Sequence, residues 1–195
     1  MAALSARGRS LAAAAALAVL APLAACSDRD TPAGETAAGE EADRTLAAAI
    51  GDAPGLTTVS SALSEAGLAS VFDGPGSYTV LAPDDDAFAK LGDRGKTLSE
   101  AEHRAELVAL LRGHILPGHL TPKAIRQAIA DKKGPVTMTT LADGEVTFAA
   151  AGDAITVTGE DGAKATIEGE ALVASNGVVL PLDGLVKKAE PAPAG

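Results

Sequence analysis

The chain has 195 residues and a formal net charge of −10, enough length for one sizeable core and too acidic for phosphate backbones to be natural partners. It has no tryptophan, and its aromatic side chains are Phe72, Tyr78, Phe88 and Phe148, so stacking platforms for bases are nearly absent and the same scarcity counts against sugars. Cys26 is the one cysteine; no intramolecular disulfide can form, and stability must come from packing.

The N-terminus reads as an export signal. Arg7 and Arg9 precede an apolar run from Leu11 to Leu20, and small residues follow in Leu23-Ala24-Ala25-Cys26. Apolarity ends at Ala21, before Pro22, short of the ~20 residues a transmembrane helix requires. The Leu-Ala-Ala-Cys order resembles the lipobox of bacterial lipoproteins. That resemblance implies residues 1–25 as a signal peptide, cleavage between Ala25 and Cys26, and a diacylglyceryl group on the Cys26 sulfur. The mature protein is then exported and lipid-anchored to the bacterial membrane, facing the periplasm or the cell exterior. Each buried acyl methylene contributes about 0.8 kcal/mol, so several chains anchor stably. Ser27 after the cysteine resembles proteins forwarded to the outer membrane where a host has two. Residues 26–42 contain no apolar side chain larger than alanine after the cysteine and read as a flexible tether, with a root-mean-square span on the order of 20 Å.

Helical patterns come next. Leu46, Ala49 and Ile50 predict a short amphipathic helix that stops near Pro54; Leu56, Val59, Leu63 and Ala66 predict another, with Gly67 as its stop. Ser77 to Leu81 predicts a strand ending at Pro83, and Asp84 to Leu91 a short helix. Asp84 would cap that helix, the two following acids would face its positive end, and Asp86 would pair with Lys90. Ser99 and Glu102 suggest a capping box ahead of Leu107, Leu110 and Leu111, with Gly113 as terminator. Thr121-Pro122 reads as a cap and first-turn proline, with Ile125 and Ile129 on one face.

From Val136 the period changes. Val136 to Leu141, Glu145 to Ala150, Ala154 to Thr158 and Lys164 to Ile167 predict strands, separated by Asp143-Gly144, Gly152-Asp153 and Asp161-Gly162 as hairpin turns. Val178 to Leu182 is the last predicted strand, extended by Leu185-Val186. The class is α+β, with helices in the first half and an antiparallel meander in the second. Residues 188–195, with Pro191 and Pro193, read as a disordered tail.

Chemistry-bearing constellations are sparse. Asp84-Asp85-Asp86 lacks the alternating oxygens and the turn glycine of a calcium loop. His114 and His119 flank Ile-Leu-Pro-Gly with no convergent third ligand for zinc; His103 reads as a solvated helix residue and His114 as a hydrogen-bonded residue at a helix end. No Gly-x-Ser-x-Gly, Ser-x-x-Lys, Walker loop or His-Glu-x-x-His occurs. The residues predict no metal, no cofactor and no enzymatic activity.

Three segments are informative together: Gly76-Ser77-Tyr78-Thr79-Val80-Leu81-Ala82-Pro83 running on through Asp84 and Phe88 to Leu91, Leu110 through His114 to Gly118, and Ala174-Ser175-Asn176-Gly177-Val178 through Val186. In order and spacing they resemble the signatures of the fasciclin (FAS1) domain, over residues 43–187. The resemblance implies a wedge or sandwich of antiparallel β-sheets flanked by several helices. It makes Tyr78, Pro83, Asp84, Phe88, His114, Asn176 and Gly177 the candidate fold or ligand positions. Tyr78 to Leu81 should be a buried strand, Pro83 should stand where the ladder ends, and Asn176-Gly177 should supply positive φ angles for a tight turn. The resemblance also implies a surface module in adhesion or matrix contact, with binding of apolar small molecules in some members. Gly113 stands where a tyrosine precedes the histidine in animal members, Leu180 and Pro181 replace the histidine and valine of the closing signature, and Ala171-Leu172 falls near an upstream Asp-Ile.

Two functions follow as expectations. The first is a membrane-anchored, non-enzymatic adhesion or macromolecule-binding module with an envelope or extracellular partner. The alternative is a carrier of an apolar ligand such as a carotenoid or lipid.

Overall fold

The computed structural model describes residues 44–98 and 100–189. Cys26 and its cleavage point after Ala25, the tether, and most of the C-terminal tail lie outside these residues, as does Ser99 of the expected capping box. Thr45 opens α1 (Leu46–Gly51), its hydroxyl accepting the Ala48 N–H at 3.3 Å. Next are α2 (Thr57–Glu65) and α3 (Ala69–Phe72), with Gly67 at φ +70° turning the chain between them. Strand β1 (Tyr78–Pro83) leads to α4 (Asp85–Ala89), α5 (Asp93–Leu98), a 3-10 turn (Ala101–His103), α6 (Arg104–Arg112) and β2 (Ile115–Pro117). Thr121 caps α7 (Pro122–Lys132) through a 3.2 Å bond from the Ala124 N–H, and proline fills the first turn where no N–H is needed.

The second half is the predicted meander. Strands β3 (Val136–Thr139), β4 (Glu145–Ala151), β5 (Ala154–Gly159) and β6 (Lys164–Thr166) pair antiparallel in that order. Gly152-Asp153 is a two-residue turn with Gly152 at φ +61°, and in the longer β3–β4 loop it is Asp143, not Gly144, that takes positive φ. Strands β7 (Leu172–Ala174) and β8 (Gly177–Leu182) return to the first half and complete a second sheet in the order β2-β1-β8-β7. The α+β class with antiparallel sheets is as expected, with one strand pair that departs from it. At the centre of this sheet β1 and β8 run parallel, from Tyr78 opposite Gly177 to Pro83 opposite Leu182. Parallel neighbours need a long crossover, and everything from α4 to β7 serves as that connection.

The central pair is buried on both faces. Side chains alternate along a strand, so Val80, Ala82 and Val179 face Leu46, Ile50, Val59, Leu63, Phe72, Leu107 and Leu111 of the helices. Leu81, Val178, Leu180 and Leu182 face Phe148, Ile155 and Val157 of the meander, with Ile125 of α7. Val-Leu-Ala-Pro and Val-Val-Leu-Pro-Leu are therefore continuous apolar runs, as double-sided burial demands. Each fully buried Val, Leu or Ile contributes roughly 1.5–3 kcal/mol.

Polar clasps join segments that packing alone would leave free. The Asn176 side chain accepts the Leu46 N–H at 2.7 Å and donates to the carbonyls of Phe72 (2.5 Å) and Gly74 (2.9 Å). The side chain ties the start of α1 to the end of α3, while the Asn176 backbone carbonyl accepts the Tyr78 N–H at the start of β1. Neither Asn176 nor Gly177 has positive φ, contrary to expectation. Glycine is required at 177 because a β-carbon would overlap the Tyr78 carbonyl oxygen across the parallel ladder.

His114 is the second clasp. Its buried ring donates from Nδ1 to the Leu110 carbonyl (2.9 Å) and accepts the Val186 N–H on Nε2 (3.0 Å), which defines a neutral tautomer. The Val186 N–H is thus committed to a ring nitrogen, and Leu185-Val186 does not extend β8, which ends at Leu182. Burial drives the His114 pKa down to about 4; the bond to the Leu110 carbonyl opposes the shift, and the Lys187 charge adds to it. A second proton would set an N–H donor against the Val186 N–H.

Two predictions follow from the clasps. Asn176→Ala strands one donor and two carbonyls and should lower unfolding free energy in urea by about 2–4 kcal/mol; a loss below about 0.5 kcal/mol would show that the clasp does not carry weight. An unfolded histidine titrates near 6.5 and the folded one near 4, so unfolded chains bind more protons between those values. His114 thus contributes stability that is complete above about pH 6.5 and is lost as pH falls toward 4, by about 3 kcal/mol in all. Urea midpoints across this window should fall in the native protein, and fall less steeply in His114→Gln.

Candidate binding site

The residues singled out by the fasciclin resemblance do not converge on one site. Tyr78 sits at the start of β1, its ring edge-on to Phe72 at a centroid distance of 5.7 Å, beside Asn176 and Gly177. Pro83, Asp84 and Phe88 stand at the other end of the same strand, roughly 16 Å away by strand rise. Pro83 is the last paired residue of β1, where its missing N–H costs no ladder bond. Asp84 caps α4, its Oδ1 accepting the Ala87 N–H at 2.6 Å, and Phe88 is buried. Asp86 and Lys90 form no ion pair among the described residues; the Lys90 ammonium donates to the Asp183 carbonyl at 2.8 Å instead. His114 has both nitrogens committed, so it has none to offer a substrate. His103 is less solvated than expected, its Nδ1 lying 3.4 Å from a Glu106 carboxylate oxygen that also neighbours the Arg94 ion pair. Among the described residues no group of three or more His, Cys, Asp or Glu side chains is placed to hold a metal ion.

A concave site lies elsewhere, beside β7. A cavity of about 430 Å³ is walled by Ala53–Leu56 on one side and by Glu168–Glu170 on the other, with Leu172 and Pro181 between and Asp84 on the rim. A smaller hollow of about 90 Å³ continues it past Pro54 and Leu172 to Asp52 and Val173.

Local chemistry builds both walls. Asp85 accepts the Thr58 N–H at 2.7 Å and the Thr57 N–H at 3.3 Å, and its own N–H donates to the Gly55 carbonyl at 2.9 Å. The first wall is thereby pinned to the start of α4. Partial burial pushes the Asp85 pKa up, but the N–H groups of Thr58 and Thr57 outweigh it and hold the carboxyl below its ordinary value. The opposite wall is fixed by the Glu168 N–H to the Pro181 carbonyl at 2.9 Å and by Gly169 at φ +71°. Asp84, Asp52, Glu168 and Glu170 place carboxylates around an apolar floor of Leu56, Leu172, Pro54 and Pro181.

Of the candidate positions from the fasciclin resemblance, Asp84 alone lines this cavity, with Pro181 and Leu172 noted earlier as departures from the family pattern and Pro54 and Leu56 as helix markers. Val173, Glu168, Glu170 and the rest of the 53–56 loop carry no motif. The one available signal was composition: two exposed acids flank Gly169 immediately before an apolar strand.

Comparison with known proteins agrees with this architecture. The fasciclin domain family model matches residues 54–187. Protein sll1483 of Synechocystis is 31% identical over 157 residues, covering 78% of this chain and 71% of that protein. Transforming growth factor-beta-induced protein ig-h3 of Sus scrofa is 29% identical over 130 residues, 66% of this chain and 17% of that much longer protein. The FAS1 domain pair of the insect cell adhesion molecule Fasciclin I superposes with a TM-score of 0.67 at 13% identity, over 75% of this chain and 52% of the pair. With the family model spanning most of the chain and the same fold in a solved member, this protein belongs to the fasciclin domain family.

Proposed function

We propose that the protein is a lipid-anchored FAS1 module that binds another macromolecule outside the cytoplasm and catalyses no reaction. The observation that carries this reading is the acid-rimmed apolar groove of about 430 Å³ beside the edge strand β7. It is a recognition surface made of loops on a rigid scaffold, with no nucleophile–base pair among its lining residues. Support also comes from Fasciclin I, a cell adhesion molecule of the same fold, and from the leader ending in Leu23-Ala24-Ala25-Cys26. In this reading Cys26 carries the lipid, residues 27–42 separate the domain from the membrane, and the groove faces the envelope or the exterior.

The groove's volume also lies within the range of small-molecule sites, which favours an apolar ligand as the second reading. Organic extraction of natively purified protein separates the two. Recovered pigment or lipid in stoichiometric amount supports the carrier; a clean extract with no uptake of added ligand removes it.

Two measurements test the main proposal. Metabolic labelling with an alkyne fatty acid should mark the native chain and leave Cys26→Ser unlabelled; equal labelling of both would place the lipid elsewhere. A photo-crosslinking side chain at position 170 should yield a discrete adduct in intact cells, and the same probe at exposed Lys132, on α7, should not. Identical patterns from both positions would defeat the groove as the binding surface.

A further inference from the structure

Resting on that reading, we propose that the partner docks as an extended peptide strand: its backbone pairs with Val173 on the free edge of β7, and its basic and apolar side chains fill the adjoining groove. The direction of the backbone groups follows from the ladder. The Tyr78 N–H donates to the Asn176 carbonyl and the Asp84 N–H to the Leu182 carbonyl, so even-numbered residues of β8 turn their polar groups toward β1. Odd-numbered residues turn theirs toward β7, as the Glu168 bond to the Pro181 carbonyl also shows. The antiparallel register sets Gly177 opposite Ala174 and Val179 opposite Leu172. Leu172 and Ala174 therefore bond inward, and the N–H and C=O of Val173 point out of the sheet.

No described residue meets those two groups. Their neighbour Ser175 is occupied, its N–H donating to the Arg44 carbonyl at 2.8 Å, so the open stretch of edge is short. Val173 is 37% exposed, one of two large apolar side chains with that much solvent contact among the described residues. Edge strands are commonly blunted by lysine, proline or a covering segment; among the described residues none of these stands at Val173. An open edge next to pockets for side chains is the arrangement that strand addition uses, with main-chain bonds supplying affinity and pockets supplying selectivity.

Charge decides the occupant. Asp52, Asp84, Glu168 and Glu170 ring the groove, and within it Arg44 lies 3.2 Å from Asp52. A lysine- or arginine-bearing strand is attracted, with its aliphatic stems on Leu172 and Pro181. A second copy of this chain, carrying −10 and the same acids, is repelled from edge-to-edge pairing.

The test uses the full chain and a short labelled peptide of alternating lysine and valine. Binding followed by amide chemical shifts should move Val173, Leu172 and Gly169 most, and should slow exchange of the Val173 amide proton. N-methylation of the peptide's central valines should weaken binding about tenfold, the worth of one or two backbone hydrogen bonds. A glutamate–valine peptide should not bind.

Val173→Pro removes the outward N–H without touching an inward ladder bond, a position at which edge strands accommodate proline, and should weaken binding to a similar degree, whereas Val173→Thr, which keeps the N–H and the branched shape, should bind nearly as the native chain does. Glu168→Lys with Glu170→Lys, both exposed, tests the rim independently of how the proline variant folds and should abolish binding. Shifts scattered over the acidic surface and insensitive to N-methylation would overturn strand docking, as would no binding at all. A dimer in sedimentation velocity that Val173→Pro dissolves would make a second copy the occupant and overturn it too. If the peptide fails while the position-170 crosslink persists, the binding-module reading stands and strand docking alone falls.

Discussion

The parallel pairing of β1 with β8 is the constraint on which the rest of this structure depends. It joins two runs separated by about half of the chain, buries both on both faces, and leaves the helices on one side and the meander on the other. The close approach forbids a side chain at Gly177 and brings Asn176 to where its amide reaches α1 and the end of α3. Because the pairing is non-local, its loop-closure entropy must be met before its contacts form. The side-chain clasps act on that same problem: Asn176 ties the end of the long crossover to α1 and α3, and His114 ties its middle to the chain beyond β8.

This arrangement explains why the family's signature residues say much about architecture and little about ligand. Pro83, Phe88, His114 and Gly177 are buried, and each has a partner or a steric reason internal to the fold. A buried neutral histidine with both nitrogens bonded gives rigidity and acid sensitivity rather than chemistry. The concave surface lies instead away from these residues, between loops 53–56 and 168–170. The bonds that hold those loops come from more distant chain, from Asp85 on one side and to the Pro181 carbonyl on the other.

Much of the local structure was legible in the sequence. Thr121-Pro122 caps α7, Asp84 caps α4, Gly67 turns out of α2, and the alternating Val146, Phe148, Ile155 and Val157 mark the meander's inner face. Errors arose where a residue's role depends on distant chain. Asn176-Gly177 has the composition of a positive-φ turn, yet its asparagine is a long-range clasp and its glycine a steric necessity. Lys90 had a good helical partner in Asp86 and instead bonds a carbonyl that arrives from 93 residues away. The groove was not legible at all, since Pro54, Glu168 and Leu172 mean nothing together until the sheet assembles them.

Sequence by itself determined the periodicities, most of the caps and turns, the acidic composition and the membership of the fasciclin family, because each is written in neighbouring residues or in a spaced motif. Tertiary structure alone decided that the central strands run parallel, that His114 spans to Val186, and that an acid-rimmed cavity opens beside Val173. The physical reason is range: caps and alternation are settled within a few residues by backbone hydrogen bonding and burial, whereas strand order, long-range clasps and cavities come from packing between segments whose meeting no local pattern encodes.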